Sequence, residues 1–114
     1  MSITSDVRAV YFGPNNTRSA GTRYPIVSGG TGPCWFRGAH ISTTAFVYSN
    51  THKLFHFHDG PSGDTLITFG VGAWRPCNFN LLGEECYIDA PNGIEISSDL
   101  QQFIRETMIT VFIS

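Results

Sequence analysis

Apolar residues in this 114-residue chain recur with period two in short runs, and Gly, Pro, Asn or Asp cuts each run off. Nowhere do they recur at i, i+3, i+4 and i+7 over three turns, so no amphipathic helix of ordinary length is on offer and the chain must bury its apolar residues as strands. Eight or nine such strands, with turn signals spaced roughly 8–12 residues apart, predict an all-β fold. The expected architecture is a single two-sheet antiparallel sandwich, jelly-roll-like in form. With 41% hydrophobic residues the chain can fill one core, so one domain is expected.

Residues 7–12 form the first run and end at Gly13-Pro14-Asn15-Asn16. A second run covers 23–27, where Pro25 predicts an edge position because it cannot donate to a ladder. The glycine-rich stretch 28–33 is the nearest thing to a linker. It divides the chain into an N-terminal arm or outer strands (1–32) and a sandwich body (33–114). In 34–41 the alternation puts Phe36, Ala39 and Ile41 on one face only if one residue is skipped, which predicts a bulge at Gly38. Further strands are expected at 44–48, 77–82, 86–89 and 94–96. In 54–58, Phe55 and Phe57 share one face, and Leu54, His56 and His58 the other. The turn formers of 59–64 make a hairpin with 65–70, and 90–93 is another tight turn. Residues 100–104 are assigned to a strand in preference to a single helical turn capped by Ser98 or Asp99. Residues 107–113 are apolar on both faces, as in a strand that is central or covered by a partner.

Charge narrows the partners. Seven Lys and Arg against nine Asp and Glu give a net charge of -2 without any block of like sign, which argues against a nucleic-acid surface or a basic membrane patch. Only 14% of residues are charged, below the quarter or so of a typical domain, so part of the surface is expected to be covered by another protein. No apolar run reaches the roughly 20 residues of a membrane helix, and residues 1–6 lack the pattern of a secretory leader. Cys34, Cys77 and Cys86 are odd in number and widely spaced, which suits buried reduced thiols better than a disulfide framework.

Candidate chemistry centres on His56 and His58, which share a strand face, with Asp59 beside them and His40 on another strand. Three imidazoles and a carboxylate are a possible zinc-type ligand set. A lone H-x-H is weak support for one, and a solvated or subunit-facing strand is the expected role, with no metal and no cofactor. The chain has no G-x-S-x-G, no cysteine in an activating setting and no lysine after Gly29-Gly30-Thr31-Gly32 to make a phosphate loop. Glu84-Glu85 are neighbours on a turn. No catalytic residue is therefore assigned and an enzyme is not expected. Trp35, Arg37, Trp74, Arg75 and Phe112 are the candidate interface residues, because Trp and Arg are enriched at interface centres. Either Trp serves equally well to close one end of the core.

Four segments, taken in order, carry a resemblance. They are Gly32-Pro33-Cys34-Trp35-Phe36-Arg37-Gly38-Ala39-His40-Ile41, residues 54–66, Ala90-Pro91-Asn92-Gly93-Ile94-Glu95-Ile96 and Met108-Ile109-Thr110-Val111-Phe112-Ile113. Their order and spacing resemble small β-sandwich structural proteins of tailed bacteriophage virions, the head-decoration or cement subunits. The resemblance implies a protein without enzymatic activity, made in the bacterial cytoplasm and carried on the particle. It also implies binding to the major capsid protein or another virion protein, and association with its own copies, a trimer being one such form. Residues 1–31 have no counterpart, and 73–85 make a longer connection than the pattern requires. The alternative expectation is a jelly-roll carbohydrate-binding module, cellular or on a phage fibre, with Trp35 and Trp74 as its sugar platform. A cupin-like metal enzyme built on the histidines comes third.

Overall fold

Aromatic and β-branched residues at alternate positions give nine strands and one short helix in the computed structural model, which describes residues 7–27, 34–43, 54–70, 77–80 and 86–114. The elements are β1 (Arg8–Phe12), β2 (Tyr24–Val27), β3 (Trp35–Thr43), β4 (Leu54–Asp59), β5 (Thr65–Gly70), β6 (Cys77–Asn80), β7 (Ile88–Asp89), β8 (Ile94–Ser98), α1 (Gln101–Glu106) and β9 (Thr107–Ile113). One sheet runs β1-β9-β3-β6, with β7 also on β3, and the other runs β2-β8-β4-β5. Every pairing is antiparallel.

The pairings are nested. β1 pairs with β9, β2 with β8, β3 with β6 and β4 with β5. A long ribbon doubled back on the β4–β5 hairpin and wrapped around itself gives this order, so the sandwich is a jelly roll. The described part of the first 32 residues supplies the outer strand of each sheet, β1 on one and β2 on the other. Pro25 lies on β2, an edge strand, as its missing N–H requires. The final strand is central, between β1 and β3. The strand expected at 44–48 lies outside the described residues.

Phe36, Ala39, Ile41, Ile109, Val111 and Ile113 from one sheet meet Phe55, Phe57, Phe69, Ile94 and Ile96 from the other, all buried. Between Phe36 and Gly38 the β3–β9 register slips, and Gly38 has φ 143°, so the expected bulge is present and restores the inward row. The hairpin turn depends on glycine twice. Gly60 has φ 73°, and a Cβ at Gly63 would stand 1.9 Å from the carbonyl oxygen of Asp59.

One element differs from expectation. Residues 101–106 are helical, not extended. Burial decides it: one turn carries the consecutive residues Phe103 and Ile104 into the core, where the Phe103 ring meets Phe55 edge-on at 6.1 Å. Leu100 is the N-cap and has no side-chain cap bond of its own, but its N–H donates to Ser98 Oγ at 3.3 Å. Thr107 Oγ1 donates to the Phe103 carbonyl at the other end. The β1–β2 connection is stitched to this helix. Asn15 N–H donates to the Arg105 carbonyl at 2.9 Å, and Arg105 Nε donates to the Arg18 carbonyl at 2.6 Å. Arg18 Nη1 donates to the Gly13 carbonyl at 2.6 Å, and its guanidinium sits 3.7 Å from the centre of the Phe12 ring. Among the described residues no helix is long and apolar enough to cross a membrane.

Candidate functional site

Since Ile109, Val111 and Ile113 point into the core, Met108, Thr110 and Phe112 point outward from the same strand. The register then builds the outer face of the β1-β9-β3-β6 sheet. Phe112 lies between Ala9 and Gly38, Thr110 between Tyr11 and His40, and Met108 opposite Ser42. His40 in turn faces Asn78 on β6. Tyr11 is 64% exposed and Met108 39%. Further along β3, Trp35 is opposite Asp89, and its ring packs on Tyr87 with centroids 5.0 Å apart. Tyr11, Phe112 and Trp35 therefore follow one diagonal across β1, β9 and β3, at spacings that aromatic side chains can bridge, and Tyr87 joins it at Trp35. Among the described residues whose side chains alternate onto this face Asp89 is the one charge, and the guanidinium of the buried Arg37 lies beside Ser114 Oγ at its end.

The structure brings Trp35 and Phe112 together on this face, but not Arg37. At the bulge Arg37 falls out of the alternating outer row. It is fully buried, with Nη1 3.5 Å from Ser114 Oγ, and so is not an interface side chain. Trp74 and Arg75 lie outside the described residues. Tyr11, Met108 and Tyr87 join the face without having been singled out from the sequence. The outward row of β9 could have been read from its alternation. The contact of Tyr87 with Trp35 is made through a cross-strand pair 54 positions apart, Trp35 and Asp89, and leaves no local signal.

The histidines do not converge. His40 is on the outer face just described, whereas His56 and His58 are on the outer face of the opposite sheet, across the core. Sheet membership, which spacing does not encode, separates them. Asp59 is engaged elsewhere: its carboxylate accepts from Asn92 N–H at 2.9 Å and Asn92 Nδ2 at 3.1 Å, tying two turns together. Among the described residues no group of three His, Cys, Asp or Glu is placed to hold a metal ion.

His56 and His58 form a polar row. His56 Nδ1 is 2.9 Å from Thr68 Oγ1, and its Nε2 is 3.0 Å from Asp99 Oδ1. His58 is 6% exposed, with Nδ1 3.1 Å from Thr65 Oγ1 and Nε2 2.7 Å from Ser97 Oγ. Burial first, then the charges of Arg23 and His56, pull the His58 pKa down to about 4. The Ser97–His58 contact has the spacing of a nucleophile and its base. The third group, however, is a threonine hydroxyl instead of a carboxylate, and an imidazole titrating near 4 is a weak base. This row is a satisfied polar network: neutral hydroxyls complete the His58 contacts in either imidazole tautomer, whereas the Asp99 carboxylate beside His56 accepts from Nε2–H and leaves Nδ1 to accept from Thr68.

Two smaller features complete the surface. A groove of about 260 Å³ beside α1 is lined by Asn16, Gln101, Gln102, Arg105 and Glu106, which offer amides and one ion of each sign. Of the cysteines, Cys34 is buried and its thiol pKa is raised by that burial. Cys86, expected to be buried, is exposed, because β7 begins two residues later and holds only two residues. The side chain of Cys77 lies outside the described residues. Set against family models, curated proteins and solved structures, the chain finds no match in any of the three.

Proposed function

We propose that this chain is a non-enzymatic structural subunit of a phage particle, a decoration or cement protein that stabilises a capsid by covering it and contacting its own copies. The observation that carries this is the outer face of the β1-β9-β3-β6 sheet, where aromatic side chains are concentrated and charge is almost missing among the described residues. Depletion of charge with enrichment of Tyr, Trp, Phe and Met is the composition of a buried interface core. The jelly roll agrees, since capsid and lectin domains both use it, but the fold alone does not choose a function. Mass spectrometry of purified particles from the phage that encodes the chain is expected to find it bound to the shell at a copy number comparable with the capsid protein. Particles that lack it would remove the proposal.

A second function, recognition of a carbohydrate, is favoured by one observation. The Trp35–Tyr87 pair leaves Tyr87 44% exposed, and the exposed Asp89 opposite Trp35 could accept from sugar hydroxyls. A cement protein is expected to give no saturable change in tryptophan fluorescence when titrated with a panel of oligosaccharides. A saturable change that disappears in Trp35→Ala would make the carbohydrate function the better one.

A further inference from the structure

We infer that Asn92-Gly93, in the turn before β8, is a site of covalent self-modification. It is a succinimide-forming pair that the carboxylate of Asp59 holds in check, and its conversion to aspartate unties the two turns joined at that end of the sandwich. Asn92 is the one asparagine in the chain that a glycine follows. Glycine has no side chain to shield its amide nitrogen, and it leaves the backbone free to adopt the shape that attack requires. In the reaction the Gly93 nitrogen attacks Asn92 Cγ. The N–Cγ bond forms, the Cγ–Nδ2 bond breaks, and the proton of the Gly93 N–H leaves with the side-chain amide as ammonia. Water then adds across either C–N bond of the ring, giving aspartate or its backbone isomer, isoaspartate. Water is the only co-reactant, and Asn92 is exposed to it.

The fold opposes the first step at both reacting groups. Asn92 Nδ2 donates to Asp59 Oδ2 at 3.1 Å, and the Asn92 backbone N–H donates to Asp59 Oδ1 at 2.9 Å, so the side-chain amide is tethered to Asp59. The attacking nitrogen is engaged as well, since Gly93 N–H donates to the Ala90 carbonyl at 3.2 Å. Room to rearrange is short. Gly60 N–H donates to the Gly93 carbonyl at 3.1 Å, and a Cβ at Gly60 would stand 2.8 Å from Asn92 Cβ. Gly93 itself is buried, with φ 93°. Ring closure therefore waits for the turn to open locally, and its rate follows the fraction of time that the turn is open.

The product then works against the same clamp. An ionised aspartate at 92 is an acceptor only, so the carboxylate of Asp59 loses a donor and gains a like charge beside it. Isoaspartate also adds a methylene to the main chain of the turn. Either change loosens the junction where Arg23 Nη1 donates to the Gly60 and Gly63 carbonyls, at 3.1 and 2.8 Å, and Asp59 pairs with Ile94 on β8.

Peptide mass spectrometry of the full chain, incubated warm at mildly alkaline pH, reads the exchange of the Asn92 amide for a carboxyl. In the folded protein the conversion is expected to be slower by about tenfold or more than in the same chain unfolded in guanidinium chloride. Asp59→Ala, its fold checked by circular dichroism, is expected to recover much of that difference. Asn92→Asp stands in for the product. Its urea midpoint is expected below that of the wild type, and restored in good part by adding Asp59→Asn, which exchanges donor and acceptor across the same pair. If Asp59→Ala does not fold, the ratio of folded to unfolded rates and this exchange of partners carry the test. Three results overturn the inference: no conversion in the unfolded chain or equal rates in both states, a folded Asp59→Ala variant that converts as slowly as wild type, or an Asn92→Asp variant as stable as wild type. None of these measurements involves a particle, so the proposed assembly role and this inference fail separately.

Discussion

Phe57→Ala is expected to lower the free energy of unfolding by about 3–5 kcal/mol, read as a fall in the urea midpoint at unchanged slope. Phe57 is fully buried on β4 at the middle of the sandwich. Its ring is 5.2 Å from that of Phe36, across the core on the other sheet, and 5.5 Å from that of Phe69 on the neighbouring strand. Phe69 in turn meets Phe79, again on the other sheet, at 5.5 Å. Removing Phe57 therefore breaks the ring chain that holds the two sheets together at two points. Four backbone ladders surround the gap and resist its collapse, which sets the cost at the upper end for such truncations. Set against a total stability of roughly 5–15 kcal/mol, the variant comes close to unfolding at room temperature. A loss below about 1 kcal/mol would mean that the two sheets are held together mainly by contacts other than this aromatic chain.

What the sequence revealed about this fold was local. The β4–β5 hairpin has both strands and its turn within 17 residues, and Phe55, Phe57 and the glycines between them spell it out. Gly38 betrayed its bulge because the apolar alternation on either side is out of phase by one. The long-range pairings are different in kind. Nothing in Arg8–Phe12 says that it will lie beside the last strand, since any period-two run can pair with any other, and the choice is made by how all of them share one core. For this reason the first 32 residues could be read either as an arm or as outer strands, and residues 7–27 supply an edge to each sheet.

The candidate site was legible to the same depth. Trp35 and Phe112 could be named from residue type and strand pattern, but which face they share depends on the β3–β9 register. Arg37 shows the limit well. The bulge at Gly38 was visible and Arg37 was named for its residue type, yet the bulge leaves Phe36 and Arg37 both buried, which residue type does not foretell. The helix at Gln101–Glu106 was hidden because six residues are too few to display a 3.6-residue period, and burial of adjacent Phe103 and Ile104 distinguishes a turn of helix from a strand only once the core is known.

Acidification is expected to destabilise the protein through His58. A free imidazole titrates near 6.5, and in the fold this one titrates at about 4. Above pH 6.5 His58 is neutral whether the chain is folded or not, so it contributes no pH dependence. As pH falls from 6.5 towards 4 the unfolded chain takes up a proton that the native state refuses, and stability declines with it. Below about 4 both states are protonated and the loss levels off at about 3 kcal/mol as an upper figure. The groups around the ring reinforce the effect or are held off by it. Arg23 and His56 oppose a charge there, Thr65 and Ser97 offer hydroxyls that a neutral ring already satisfies, and Glu95 lies opposite in the β8 register. Urea midpoints measured between about pH 7.5 and 5, above the range where carboxylates titrate, are expected to show a loss of up to about 2 kcal/mol. His58→Gln keeps a polar side chain between the same hydroxyls but cannot take up a proton, so its midpoint is expected to stay nearly level over that interval. A wild-type protein and a His58→Gln variant that decline in parallel would place the acid sensitivity elsewhere. The expected divergence would show that this histidine is kept neutral by its burial in the sheet face, which a metal ligand or a catalytic base at neutral pH would not need.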